Sequence, residues 1–217
     1  MPKTFETNMT PQQLDRETVL HPFTHLGDLR SGKLEPNIIE SGEGVRITNA
    51  KGETFIDAFA GLYCVNIGYG RPEMAEAIYE QAQKLAYYHV YAAASNPPLI
   101  ELSKRLIEMA PDGMARVYYG MSGSDANETQ AKIVWYYNNV LGGPEKKKII
   151  ARRRGYHGAG VISGSMTGAD LGCYHNGFDS PREIIKHTMT PHKLWNAPEE
   201  GMSDKAFSQY CADTHHN

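Results

Sequence analysis

The sequence has 217 residues, of which 41% are hydrophobic and 22% are charged, a composition typical of a folded globular protein. Twenty-two lysines and arginines stand against 25 aspartates and glutamates, and the net charge of −3 argues against a nucleic-acid or anionic-membrane partner. No apolar run reaches the roughly 18 residues of a membrane span. Cys64, Cys173 and Cys211 are too few for a disulfide framework. We therefore expect a cytoplasmic enzyme or binding protein.

The first 70 residues predict a short helix followed by a small antiparallel layer. Thr10, Pro11 and Gln13 form the pattern of an N-cap, a proline at the first helical position and a capping box. This helix is expected to end near Leu20. Three short alternating segments that predict strands follow, at residues 37–40, 44–48 and 53–57. A glycine-rich loop is predicted at residues 61–70.

Two amphipathic helices are predicted next, opening at Pro72 and at Asn96, because apolar residues recur there at helical spacing. The apolar stripe of the first consists of Met74, Ala77, Ile78, Ala82, Leu85 and Tyr88. That of the second consists of Leu99, Leu102, Leu106 and Met109, and a further helix is expected to begin at Ser203.

Residues 117–119 predict a strand, residues 120–124 a turn of small residues, and Asp125 with Glu128 the cap of a helix. The next strand is predicted at residues 148–151. The expected buried face of the helix consists of Ala126, Ile133, Val134, Tyr137 and Leu141. Strand, turn, helix and strand make a βαβ unit, which predicts an α/β fold with a mainly parallel sheet and helices on both faces. Only two strands of that sheet are clear, so the α/β domain is expected to be incomplete.

The segment SGSDAN at residues 122–127 is a candidate anion site. A turn of small residues at a helix N-terminus offers unpaired backbone N–H groups, two hydroxyls and the positive end of the helix dipole. The pattern matches neither a P-loop nor a dinucleotide-binding fingerprint. A capped loop without any ligand is an equally good interpretation of these residues alone.

The segment GYHG at residues 155–158 follows the second strand, so it is expected at the same carboxyl-end edge of the sheet. Tyr156 can stack on an aromatic ring, and His157 can bind a ligand or merely fix the loop. Taken alone, these residues favour a loop aromatic that covers the edge of the core. Tyr63 and Tyr91 belong to a set of 13 tyrosines that can line a pocket or the rim of the core.

Other chemistry finds little support in the sequence. Nine histidines and three cysteines form no C-x-x-C or H-E-x-x-H motif, so no metal site is predicted. The absence of a G-x-S-x-G elbow argues against a hydrolase. Basic blocks at residues 146–148 and 152–154 are interpreted as solvated strand ends rather than a nucleic-acid surface.

Three motifs in this order resemble those of the class III (omega) aminotransferases, which are pyridoxal-phosphate enzymes of fold type I. The motifs are GLYCVNIGYGR at residues 61–71, SGSDAN at 122–127 and GYHG at 155–158, and the similarity extends from about Thr10 to Ser208. The resemblance implies that pyridoxal 5'-phosphate is the cofactor.

The resemblance also implies roles for individual residues. Gly123 and Ser124 would hold the cofactor phosphate, and Tyr156 would stack on the pyridine ring with His157 beside it. Tyr63 would line the substrate pocket, and Phe23 and Tyr91 match further pocket positions. In the homodimers of this family, one of these last two can serve the neighbouring subunit's site. Asp125 replaces the usual glutamate and keeps its charge.

Family members are about twice as long as this chain. Their second half carries the lysine that forms the Schiff base, the aspartate that keeps the pyridine nitrogen protonated, and the rest of the small domain. The resemblance therefore implies that residues 1–70 belong to the small domain and residues 71–217 to a truncated large cofactor-binding domain. No lysine here, Lys132 included, occupies a family-like catalytic position.

The implied reaction moves an amino group from an amine or ω-amino acid to a keto acid such as pyruvate, and the chain alone is expected to be inactive. One alternative is a non-catalytic cofactor- or anion-binding module, or a subunit that requires a lysine-bearing partner chain. A non-functional remnant with an unpaired sheet edge is a further alternative.

Overall fold

A computed structural model describes residues 8–168, 177–181 and 183–214, so Cys173 lies outside the described residues. The backbone contacts divide the chain into two compact units, Met1–Pro97 and Pro98–Asn217, here called the first and second units. The boundary after residue 70, which separates the small from the large domain, stays a prediction.

The first unit begins with two short helices, α1 at Pro11–Thr18 and α2 at Leu26–Ser31. The predicted capping box of α1 is confirmed, because the Gln13 N–H donates to Thr10 Oγ1 at 3.2 Å and the Thr10 N–H donates to Gln13 Oε1 at 2.7 Å. Helix α2 ends at Gly32, whose φ of 77° is the left-handed conformation that glycine adopts at helix ends.

The predicted antiparallel layer is also confirmed. Strands β1 (Ile39–Glu43), β2 (Arg46–Asn49) and β3 (Thr54–Ile56) form a three-stranded sheet in sequence order. The buried Asn49 closes the β2–β3 turn, since its Oδ1 accepts the N–H groups of Lys51 and Glu53, each at 3.0 Å. Asparagine suits this position because its side chain replaces backbone acceptors that a turn lacks.

The other helices of the first unit follow β3. They are α3 at Ala60–Tyr63, α4 at Pro72–Leu85 and a 3-10 turn at Tyr91–Ala93. Helix α5 at Pro97–Met109 begins at the unit boundary and belongs to the second unit from residue 98 onward. The predicted helices at Pro72 and Asn96 are thus confirmed. Their apolar stripes lie on the surface in this structure: Ile78 and Met109, for example, are exposed.

The second unit is built around one pair of parallel strands. After α5, its elements are α6 at Gly123–Val140, β4 at Ile149–Arg152, α7 at Val161–Met166, β5 at Ile185–Thr188, α8 at Lys193–Asn196 and α9 at Asp204–Asp213. Strand β4 pairs with β5 from Ile149 opposite Ile185 onward, and α7 packs against both strands and against α6. Ala151 and Ile185 are buried under this layer. Helix α9 begins after the predicted Ser203 cap, whose Oγ accepts the Ala206 N–H at 3.2 Å.

The predicted strand at residues 117–119 is wrong. This segment is irregular, and within the described residues no strand lies beside it to form a ladder. The Tyr119 hydroxyl instead lies 2.9 Å from Ser103 Oγ of α5. A β-rich pattern reports propensity, whereas a strand also needs a partner. The parallel pair is therefore β4 with β5, and not the predicted βαβ unit.

Two predictions about α6 are corrected as well. The N-cap is Ser122, whose Oγ accepts the Asp125 N–H at 3.1 Å, while the Asp125 carboxylate accepts the Met121 N–H at 3.0 Å. The buried residues of α6 are Thr129 and Ala131. Of the face predicted to be buried, the exposed residues are Ile133, Val134, Tyr137 and Leu141. No described element covers that part of the helix.

Of the helices that the structure describes, none combines the length and apolar character needed to cross a bilayer.

Candidate functional site

The start of α6, which we call the cradle (residues 122–125), has the properties of an anion site. Ser122 has extended backbone with φ of −164°, and its side chain satisfies the Asp125 N–H. The N–H groups of Gly123 and Ser124 have no acceptor within the described residues, as expected for the first turn of a helix. A Cβ placed on Gly123 would meet no atom within 4 Å, so the space before the helix is open. Unpaired amides, a hydroxyl and the helix dipole fit a phosphate group.

The second element, which we call the ring loop (residues 155–160), leaves the carboxyl end of β4. The Gly155 N–H donates to Arg152 O at 3.1 Å, and the Arg154 guanidinium lies 4.5 Å from the centre of the Trp195 ring. Tyr156 is 60% exposed, which leaves its ring accessible to a ligand. Helix α7 begins immediately after this loop.

His157 is held by its backbone rather than by its ring. Its N–H donates to Thr167 Oγ1 at 3.0 Å, and its carbonyl accepts Asn127 Nδ2 at 2.7 Å. The ring atom Nε2 is buried and has no hydrogen-bond partner among the described residues. Since buried polar atoms are normally paired, this nitrogen fits a site that binds a polar ligand atom.

The structure brings the cradle and the ring loop into contact. Ser124 Oγ accepts the Ala159 N–H at 3.1 Å. Gly158 has φ of 130°, and a Cβ there would lie 2.7 Å from Ser124 Oγ. Only glycine allows the loop to approach α6 this closely. The segment of Gly123 and Ser124 and the segment of Tyr156 and His157 therefore adjoin each other, while the roles of these four residues stay predictions.

Sequence reasoning missed three side chains that hold this arrangement: Asn127, Glu128 and Thr167. Glu128 was interpreted as half of a capping box, but its carboxylate reaches the first turn of α7 instead. One signal for this was available: Ser124, Asn127 and Glu128 are spaced i, i+3 and i+4, which places them on one face of a helix.

Tyr63, the first substrate-pocket candidate, lies in a left-handed turn of the first unit. The φ values of Ala60, Gly61, Leu62 and Tyr63 are 47°, 57°, 60° and 67°. Left-handed conformation is unfavourable for residues other than glycine, and such strain concentrates at functional sites. The Tyr63 ring is exposed and makes an edge contact with Phe59 at 5.0 Å between ring centres.

Asp57 stabilises this strained turn. Its Oδ2 accepts the Gly61 N–H at 2.7 Å and the Tyr69 hydroxyl at 2.7 Å, and its Oδ1 accepts the Phe59 N–H at 3.1 Å. The Tyr69 hydroxyl, followed by the Gly61 N–H, holds the pKa of Asp57 below its ordinary value. The same contact raises the pKa of Tyr69.

The other two candidates also lie in or beside left-handed backbone. Phe23 has φ of 53°, and Tyr91 is followed by Ala92 and Ala93 with φ of 53° and 62°. Phe23 and Tyr91 are exposed. Their place in a substrate pocket, like that of Tyr63, stays a prediction.

Comparison with known protein families identifies the class to which this arrangement belongs. The model of the family "Aminotransferase class-III" matches residues 30–216 of this chain. The chain belongs to this family of pyridoxal-phosphate-dependent transaminases, which confirms the family and the cofactor that the sequence motifs imply. The α/β class is confirmed too. The mainly parallel sheet with helices on both faces stays a prediction.

Individual relatives cover most of this chain. An uncharacterised aminotransferase of Sinorhizobium fredii is 60% identical over 89% of the chain and 41% of its own length. A diaminobutyrate–2-oxoglutarate transaminase of Halomonas elongata is 56% identical over 91% of the chain and 42% of its own length. The crystal structure of an omega transaminase from Pseudomonas jessenii in complex with PMP is 39% identical, with a TM-score of 0.89 over 95% of this chain and 45% of that one. The chain thus spans about two fifths of the length of the curated relatives it matches.

Proposed function

We propose that these residues form the cofactor-binding part of an omega-aminotransferase, which moves an amino group from an amine or ω-amino acid to a keto acid such as pyruvate. The observation that carries this proposal is the contact of Ser124 Oγ with the Ala159 N–H. It fixes an open helix N-terminus beside a loop that bears an exposed tyrosine and a histidine with an unpaired ring nitrogen.

Each residue then has a physical task. The N–H groups of Gly123 and Ser124 bind the cofactor phosphate, Tyr156 stacks on the ring, and His157 offers its Nε2 to a polar atom of the ligand. Pyridoxal phosphate, when bound, supplies the electron sink for chemistry at the amino-bearing carbon. The residues described here bind and orient it.

The substrate side of the proposal depends on Tyr63, Phe23 and Tyr91, which would line the pocket for the donor. The related enzymes are named for diaminobutyrate and for omega transamination. We propose that the donor of this protein likewise carries a terminal primary amine. We also propose a homodimer located in the cytoplasm.

The catalytic lysine is proposed to lie outside these 217 residues, so that the chain alone does not turn over. Lys132 is exposed on α6, about two turns after the cradle. Transamination needs an amine that shuttles a proton at the substrate carbon, and neither the cradle nor the ring loop carries one. The same observation favours a second candidate function, a cofactor-binding subunit that works with a lysine-bearing partner chain.

The proposal is tested by titrating the purified chain with pyridoxal phosphate, with pyridoxal and with inorganic phosphate. We expect the phosphorylated cofactor to bind more tightly than pyridoxal. Tyr156→Ala should weaken its binding up to about tenfold, the range of an aromatic stacking contact. Tyr136→Ala, an exposed tyrosine on α6, is the matched control and should bind as the wild type does.

Equal binding of pyridoxal and pyridoxal phosphate would contradict the cradle, and unchanged binding by Tyr156→Ala would contradict the stacking role. The intact mass of the polypeptide made by its native cell separates the two candidate functions. A mass well above 24.1 kDa supports a self-sufficient aminotransferase, and a mass of 24.1 kDa supports the subunit.

A further inference from the structure

Three side chains on one face of α6 hold the segment that follows β4. Ser124 accepts the Ala159 N–H at 3.1 Å, Asn127 donates to the His157 carbonyl at 2.7 Å, and Glu128 reaches the start of α7. The partners are separated by 30 to 35 positions in the sequence, so these bonds are tertiary contacts. We call this set the clamp.

Glu128 makes the largest number of these bonds. Its Oε1 accepts the Ile162 N–H at 2.9 Å, the Ser163 N–H at 2.8 Å and the Ser163 hydroxyl at 3.0 Å. A carboxylate with several donors forms charge-assisted bonds, which are stronger than bonds between neutral groups. These bonds also satisfy first-turn amides that α7 cannot satisfy itself.

The chain leaves room for this carboxylate. Ser163 is fully buried and accepts the Gly160 N–H at 3.0 Å, so its hydroxyl connects the ring loop to Glu128. A Cβ on Gly160 would collide with Glu128 Oε1, and one on Gly158 would lie 2.7 Å from Ser163 Oγ. Both glycines are therefore required for the loop to lie against the clamp.

Glu128 and Asn127 act on the ring loop and the start of α7 and not on the cradle. The cradle is capped by Ser122, and its free amides belong to Gly123 and Ser124. Glu128 touches neither of them, and its bonds fix the far end of the loop that carries Tyr156 and His157. Loss of Glu128 should therefore change the placement of the ring-binding residues while the phosphate-binding amides stay in position.

We propose that Glu128, supported by Asn127, is a positioning residue that sets the distance between the phosphate cradle and the ring-binding residues. It makes the site selective for a ligand that carries an aromatic ring at a fixed distance from a phosphate, over phosphate alone. This inference rests on the proposed function, because it assigns Tyr156 and His157 to the ring of the cofactor.

The test compares Glu128→Ala, Glu128→Gln and the control Gln130→Ala, an exposed position two residues away on the same helix. Binding of pyridoxal phosphate and of inorganic phosphate is measured for each, together with hydrogen exchange of residues 156–163 without ligand. Glu128→Ala should raise the dissociation constant of pyridoxal phosphate about tenfold and that of phosphate less than about twofold. Its loop amides should exchange faster.

Glu128→Gln should fall between wild type and Glu128→Ala, because an amide oxygen still accepts two N–H groups but lacks the charge. If Glu128→Ala does not fold, Asn127→Asp decides, since aspartate has the same size but cannot donate to the His157 carbonyl. It should weaken the binding of pyridoxal phosphate as Glu128→Ala does and leave the binding of phosphate nearly unchanged.

Either of two results would overturn this inference while leaving the proposed function intact. One is hydrogen exchange in residues 156–163 that is the same in Glu128→Ala as in the wild type. The other is an equal loss of affinity for pyridoxal phosphate and for phosphate, which a merely structural role would produce. A wild-type chain that binds phosphate but not pyridoxal phosphate would overturn the proposed function, and the positioning role with it. The exchange measurement would still show in that case whether Glu128 orders the loop.

Discussion

The turn around Asp57 in the first unit and the clamp around Glu128 in the second use the same device in different surroundings. In each, one carboxylate collects three donors and thereby fixes an irregular segment that carries a candidate site residue. The Asp57 turn holds Tyr63 and the Glu128 clamp holds the loop of Tyr156.

The two regions differ in backbone and in burial. Around Asp57 the positive φ angles fall largely on residues with side chains, among them Leu62 and Tyr63. In the segment that the clamp holds, the positive φ between His157 and Ser163 falls on Gly158. Ser163 and Thr167 are completely buried there. A half-buried carboxylate can thus hold a strained backbone in place around Asp57, whereas the hydroxyls of Ser163 and Thr167 are buried and each makes hydrogen bonds.

The largest expected effect comes from Gly158→Ala. A Cβ there would lie 2.7 Å from Ser124 Oγ at a φ of 130°, so strain and overpacking add. We expect the free energy of unfolding to fall by about 3 kcal/mol, measured by urea denaturation. Gly164→Ala in α7 is the control, because the added Cβ would lie 3.7 Å from its nearest neighbour, an atom of Ala159. This variant should not destabilise the protein.

Thr167→Val tests how strongly the buried network depends on pairing. Thr167 Oγ1 accepts the His157 N–H at 3.0 Å and donates to the Gly158 carbonyl at 2.8 Å. Valine keeps the shape but leaves both groups unpaired, which should lower the free energy of unfolding by about 2 kcal/mol. Thr48→Val in β2 is the comparison in the first unit, where it removes a hydroxyl contact of 3.0 Å with Thr54. It should change the free energy of unfolding by less than about 0.5 kcal/mol. Equal losses at the two threonines would remove the distinction between the regions.

Gly61→Ala probes the strained turn. A Cβ on Gly61 would lie 2.7 Å from Val65 Cγ2 and 3.0 Å from Tyr69 Oη, at a φ of 57°. We expect the free energy of unfolding, measured by thermal denaturation, to fall by about 1–2 kcal/mol. Gly52→Ala, with φ of 79° and nothing within 4 Å, measures the conformational part alone. If both variants lose the same free energy of unfolding, the contacts of the added Cβ with Val65 and Tyr69 contribute nothing.

The smallest effect is the pH dependence of Tyr69→Phe. The pKa of Asp57 is lowered in the folded state, chiefly by the Tyr69 hydroxyl, so this contact stabilises the fold above the ordinary carboxyl pKa. The stabilisation is lost as the pH falls through the lowered pKa. Wild type should therefore exceed Tyr69→Phe in unfolding free energy at neutral pH, and the difference should shrink in acid. A difference in unfolding free energy that does not change with pH would show that the Tyr69 contact does not depend on the charge of Asp57. Tyr136→Phe is the control.

Local signals predicted the longer helices and missed the short helices α2, α3, α7 and α8. The caps at Thr10 and Ser203 and the prolines at 72 and 97 act within a few residues, so the sequence contains the whole interaction. Burial was predicted poorly, because the apolar stripe of α6 indicates a covering layer that the described residues do not supply. An apolar pattern therefore shows which face of a helix can be covered, and the covering element has to be found elsewhere.

The site shows the same division. The cradle and the ring loop were predicted from short motifs. The carboxyl-edge rule placed them together on the assumption of a strand at residues 117–119, which the structure does not form, so their contact rests on the bond from the Ala159 N–H to Ser124 Oγ. The role of Glu128 was missed because its partners lie 34 and 35 positions away, beyond the reach of any local pattern. A capping box and a tertiary clamp begin with the same residue spacing, and only the folded chain separates them.

The register of the two sheets has a consequence for the order in which the chain folds during synthesis. The first sheet pairs Glu43 with Arg46 and Arg46 with Ile56, whereas β4 must wait until Ile185 has emerged before its ladder with β5 can begin. Hairpins close within microseconds, and pairing across a long loop is slower. On the ribosome, the first sheet is therefore complete while β4 is still an open edge. During the synthesis of residues 152–188, β4 is therefore an unpaired strand edge, the kind of backbone that pairs with other chains and aggregates.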